Sequence, residues 1–83
     1  MAGELTTLIY TIVEALVDDP SQIQIDEVEG AQARIIEVTV GKDDVGKVIG
    51  RQGKTADAIR TIIYAVSGKE RKRTILQIVD FKG

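Results

Sequence analysis

The stretch Val48-Ile49-Gly50-Arg51-Gln52-Gly53-Lys54-Thr55-Ala56 constrains this chain more than any other. It reads as the end of one helix, a four-residue turn with glycine at both limits, and the start of a second helix. Gly50 can take a positive φ without steric cost, Gly53 lets another backbone come close, and the N–H groups opening the second helix face an incoming anion. A phosphate group suits this place. Arg51 brings a planar guanidinium to it, Gln52 donates or accepts without adding charge, and Lys54 with Thr55 sits in the first helical turn.

What surrounds the turn decides the fold. Leu5, Leu8, Ile9, Ile12, Val13, Leu16 and Val17 recur at helical spacing, and Asp18-Asp19-Pro20 stops that first helix. Ile23 and Ile25 then alternate with polar residues, Val28 prolongs the β-type run, Gly30 offers a turn, and residues 35–40 suit a second strand. In that strand Ile36, Val38 and Val40 share the face expected to meet the helices. Asp43 or Asp44 is placed to cap a short helix containing Val45, Val48 and Ile49. A longer helix runs from about Gly53 to Ser67 on the stripe Ala56, Ile59, Ile63 and Val66, with Gly68 as its C-cap. After the basic connection Lys69 to Arg73, residues 74–79 are β-rich and suit a last strand buried on part of both faces. The expected order is α-β-β-α-α-β, one α+β domain over residues 1–83, with a three-stranded mixed sheet and all three helices on one face.

Charge distribution gives the turn a setting. The net charge is −2, which would argue against an anion-binding protein if it were evenly spread. It is not: residues 1–40 hold a single base, Arg34, against eight acids, whereas residues 41–73 hold nine bases against four acids. One face should therefore attract an anion while another repels it. The chain has no cysteine and no histidine, which removes thiol chemistry, the usual general base and the commonest metal ligands. Neither an enzyme nor a metal or cofactor site is expected. The start carries no basic n-region and no apolar run reaches the ~20 residues needed to cross a bilayer, so a cytoplasmic protein without membrane contact is the expectation.

Ile49-Gly50-Arg51-Gln52-Gly53, set between two helices and flanked by strands, resembles the I-G-x-x-G signature of KH domains. A helix and strand preceding the β-α-α-β unit resemble the type II arrangement. Within that class, the length, Leu16-Val17-Asp18-Asp19-Pro20, Val48 through Thr55 and Ala58-Ile59-Arg60-Thr61 are similar to the small bacterial KhpA-type family. The resemblance implies that Gly50, Arg51, Gln52 and Gly53 clamp the backbone of single-stranded RNA, with Lys54 and Lys47 adding charge. Val45, Ile49 and Val38 are the choices for lining an apolar groove that receives bases. It further implies a role as RNA chaperone or post-transcriptional regulator, self-association as a homodimer, and pairing with a larger Jag-like KH-containing protein. The competing expectation is a dimerisation or adaptor module that acts mainly through a protein partner.

Several sharper patterns dissolve on inspection. Gly53-Lys54-Thr55 mimics the end of a P-loop, but that motif needs glycine at 48, where valine stands, and an 83-residue α-β-β-α-α-β chain lacks the parallel sheet that normally holds that loop. Asp43-Asp44 as neighbours in sequence seldom converge on one metal or reacting atom, so capping is the better account. Tyr10, Tyr64 and Phe81 are too scattered for an aromatic stacking platform and are expected in the core or an interface. The run Lys69 to Arg73 suits an extended RNA path and a solvated loop equally.

Overall fold

In the computed structural model, residues 2–68 and 73–80 are described. Helix α1 covers Ala2–Leu16, strand β1 Gln24–Glu29, β2 Ala33–Val40, helix α2 Val45–Ile49, α3 Lys54–Ser67, and β3 Arg73–Asp80. The order is the expected one. The sheet runs β1-β2-β3, with β1 antiparallel and β3 parallel to the central β2.

The helices lie on one face because β2 alternates strictly. Arg34, Ile36, Val38 and Val40 are buried beneath the helices, and Ile35, Glu37 and Thr39 turn to the open side. The core unites Leu5, Ile9 and Val13 of α1 with Val48 of α2, Ile59 and Ile63 of α3, and Ile36, Val38, Val40 and Leu76 of the sheet. Each fully buried aliphatic side chain stabilises the fold by roughly 1.5–3 kcal/mol.

Arg34, the single base of the first forty residues, is inside this layer rather than on the surface. The β1–β2 register sets Glu27 opposite Ile36 and Glu29 opposite Arg34. That places Arg34 Nε 3.4 Å from Glu27 and 3.6 Å from Glu29.

The connections also have local causes. Asp19 accepts the Ser21 N–H at 3.2 Å, and Pro20 opens a single 3-10 turn before β1. Gly30 donates its N–H to the Ala33 carbonyl at 2.8 Å, closing the β1–β2 turn. Gly68 is the C-cap of α3, as expected, but its φ of −56° is right-handed, so the position does not use glycine's freedom. Residues 69–72 of the basic connection, together with Phe81, lie outside the described residues.

Candidate functional site

Helix α2 ends because Gly50 leaves helical space. Its φ and ψ are 78° and 172°, a combination essentially confined to glycine, and its N–H still donates to the Gly46 carbonyl at 2.8 Å. Gln52 follows at φ 58°, ψ 25°, and Gly53 at φ 75°, ψ 10°, both left-handed. The two glycines serve differently from the sequence expectation. A Cβ on Gly50 would lie 2.6 Å from Thr55 Cβ and 2.9 Å from its backbone nitrogen, whereas one on Gly53 would meet nothing within 4 Å. Close approach belongs to Gly50, and Gly53 is required for its dihedral angle alone.

This tight path leaves Arg51, Gln52 and Lys54 exposed on one rim. Arg51 and Lys54 have no ion-pair partner among the described residues. No side chain caps the start of α3, and its first N–H, that of Lys54, donates to the Arg51 carbonyl, so the positive end of the helix dipole lies beside the two cations.

Next to the rim is a groove of about 520 Å³. One wall is Ile49, Gly53, Ala56 and Arg60; the other is the run Leu76 to Val79 of β3. Because β3 is an edge strand, the backbone groups of its outer side lack a strand partner. Ile49 is 38 % exposed, an apolar side chain held at the groove instead of in the core. A charged rim, an apolar floor and an open backbone edge together suit an extended chain carrying anions on one side and flat apolar groups on the other.

The other residues singled out in the sequence are elsewhere. Val38 is 1 % exposed on the central strand, paired between Ile25 and Ile78, so the core would have to open before it touched a ligand. Val45 is half-buried against the same core and does not line the groove. Lys47 extends away from the rim: its Nζ lies 2.7 Å from Asp18 Oδ2 and 3.0 Å from Asp44 Oδ1. Two carboxylates neutralise it, and hydrogen bonds first to Asp18 and then to Asp44 raise its pKa above the usual lysine value.

Asp44 likewise departs from the capping expectation. It occupies the N-cap position of α2 but makes no side-chain cap bond. Its carboxylate instead accepts the N–H groups of Asp18 and Asp19, each at 3.1 Å. The Asp18 N–H first, then Lys47, hold its pKa below the ordinary carboxylate range. Asp44 therefore pins the end of the first helix to the base of α2, fixing where the glycine turn emerges. A second cavity beside it is lined by Asp18, Asp19, Asp43 and Asp44 against a single base, Lys42, so its wall is negative on balance and disfavours phosphate. No cluster able to hold a metal ion occurs among the described residues.

Ala56, Arg60 and the β3 wall were absent from the sequence-level site. Ala56 reads as core by helical spacing, and it is 3 % exposed. The β3 wall reaches the loop only through the parallel β2–β3 pairing, which no local pattern announces.

Comparison with known proteins bears on the family and the fold. Residues 6–78 match the family described as KhpA/KhpB, KH domain. The chain is 49% identical over 72 residues to an RNA-binding protein KhpA of Caldanaerobacter subterraneus subsp. tengcongensis, covering 87% of this chain and 96% of that one. It is 41% identical over 78 residues to one from Borreliella burgdorferi, covering 94% and 95%. Among solved structures, Era in complex with MgGDPNP and nucleotides of 16S ribosomal RNA superposes with a TM-score of 0.54. That match covers 92% of this chain but 29% of Era, at 16% identity, and so concerns the fold alone.

Proposed function

Because the chain belongs to the KhpA/KhpB KH-domain family, we propose that it is an RNA-binding protein that holds a single strand at the Gly50–Gly53 turn. One observation carries the reading: the exposed Arg51-Gln52 pair sits between two positive-φ glycines on the rim of a groove closed by the β3 edge. Phosphates meet Arg51 and Lys54 at the positive end of α3, while bases enter between Ile49 and β3. Gly50, Arg51, Gln52, Gly53, Lys54 and Ile49 are the assigned site. Single strands are preferred to duplex because a paired base cannot reach the groove floor. The reading includes a cytoplasmic role as RNA chaperone or regulator, with no chemistry performed on the RNA.

Changing Arg51 and Gln52 together to Asp tests it. Both side chains are exposed, so the variant is expected to keep its circular dichroism spectrum and melting profile while single-stranded RNA binding falls at least tenfold. Equal binding by the two proteins would refute the loop assignment.

A second reading runs beside the first. Leu8 on α1 and Ile62 on α3 are more than one-third exposed, and such apolar side chains favour self-association or pairing with a larger Jag-like KH protein. Sedimentation of the pure chain and of a mixture tests this, and a monomer in both would remove it.

A further inference from the structure

Gly53, Asp57, Arg60 and Tyr64 follow one another at i, i+4, i+7 and i+11, a single stripe along α3 that begins at the second glycine of the turn. The stripe is on the groove side, because Gly53 and Arg60 both line the groove wall. Tyr64 stands one turn beyond Arg60, about 6 Å further along the axis, and is 55 % exposed. A helical side chain leans toward the N-terminus of its helix, so the Tyr64 ring is directed back over Arg60 and the groove mouth. Helix α3 and strand β3 run in opposite directions, since Ser67 at the end of one bonds Thr74 at the start of the other. The buried Ser67–Thr74 contact closes the far end of that interface, so a strand leaving the groove at Arg60 passes over the exposed face of α3, where Tyr64 stands.

Resting on the RNA-binding reading, we propose that Arg60 and Tyr64 form a second RNA subsite outside the glycine turn, where Arg60 takes a phosphate and a base stacks on Tyr64. Arg60 Nη1 is 3.0 Å from Asp57 Oδ1 in the free protein. That ion pair is largely solvent-exposed and weak, so a phosphate arriving along the stripe replaces Asp57 readily. Tyrosine offers a π face that accepts any base, which extends the footprint without adding sequence preference. An exposed aromatic with no core role at the end of a groove thereby acquires a use.

The test compares oligoadenylates of four and eight nucleotides. With the wild type, the longer RNA gains affinity through the second subsite; Tyr64→Ala should lower the ratio of octamer to tetramer affinity by roughly 5- to 150-fold, the range of base–aromatic stacking. Tyr64→Phe should preserve it. In a Tyr10→Phe background the fluorescence of Tyr64 should be quenched by the octamer and much less by the tetramer. A ratio that Tyr64→Ala does not lower would overturn the proposal. So would a fall in molecular mass of Tyr64→Ala in sedimentation velocity, which would make the ring a contact between protein copies. Tetramer binding that ignores the Arg51/Gln52 double substitution would instead defeat the loop assignment, so the two failures are distinguishable.

Discussion

Exchanging each glycine of the turn for alanine should separate their roles by stability alone. At Gly50, alanine must adopt φ 78° and ψ 172°, a glycine-only region costing about 1–3 kcal/mol. It must also place a methyl 2.6 Å from Thr55 Cβ and 2.9 Å from the Thr55 nitrogen. Relieving that overlap means moving the first turn of α3, an overpacking cost of about 1–3 kcal/mol more. The total, about 2–6 kcal/mol, is a large part of the roughly 4–12 kcal/mol that a domain of this length possesses. At Gly53 the angles are φ 75° and ψ 10° with open space around the Cβ position, so alanine incurs only the left-handed penalty of about 1–2 kcal/mol. Asparagine, which tolerates that region, should cost less still. Urea unfolding followed by circular dichroism measures all three variants. Thermal scans should place Gly50→Ala lower than Gly53→Ala, by about 4–8 °C for each kcal/mol that separates them in a domain of this size. If Gly53→Ala proves equally or more destabilised, the steric account of the turn is wrong.

Other consequences concern charge. Asp44 has a depressed pKa, from the Asp18 N–H first and then Lys47, so its stabilising contribution is complete above about pH 4 and is lost as the pH falls through its folded value. Asp44→Asn should flatten the acid limb of a stability–pH curve, and an unchanged limb would disprove the role. Lys47 titrates with the opposite sign: its raised pKa gives stability present below the ordinary lysine pKa and lost as pH rises through the folded one, which Lys47→Met should remove. Asp57→Asn frees Arg60 from its 3.0 Å partner and should strengthen RNA binding, most clearly at low salt; filter binding reads the change. Glu27→Ala leaves buried Arg34 with Glu29 at 3.6 Å as a poorer carboxylate partner and should cost up to about 3–5 kcal/mol, whereas Arg34→Met with Glu27→Leu should recover much of that in urea titrations.

The glycine turn was legible in the sequence because its chemistry is local: two glycines, the residues between them and the helix that follows are contiguous. Element order and the inward face of β2 were legible for the same reason, through periods of 3.6 and 2. The groove was not. Its far wall depends on β3 pairing parallel to β2 after a helical crossover, so Leu76 to Val79 meet Ile49 across 27 residues of chain or more. Val38 was misjudged because an inward strand residue can face either a groove or the core, and only the position of α2 decides between them. Arg34 and Lys47 show the same limit for charge. Both count as cations in the sequence, yet carboxylates from other elements neutralise each of them.

Those pairings explain how a chain of net charge −2 can hold a polyanion, and they limit how strongly salt should act on it. Arg34 is committed to Glu27 and Glu29, and Lys47 to Asp18 and Asp44. On the loop side this leaves Arg51 and Lys54, joined by Arg60 once it releases Asp57. Each phosphate neutralised on a single strand contributes a slope of about −0.7 in log affinity against log salt. Two or three contacts give about −1.4 to −2.1, so raising salt from about 50 to 200 mM should weaken binding roughly 7- to 18-fold. The acidic side of the molecule, where Asp18, Asp19, Asp43 and Asp44 outnumber Lys42 around their own cavity, should keep the contact number down. Fluorescence anisotropy with a labelled octanucleotide measures the slope directly. A slope steeper than about −4 would require more phosphate contacts than this rim and stripe supply, and would move the binding surface beyond the groove.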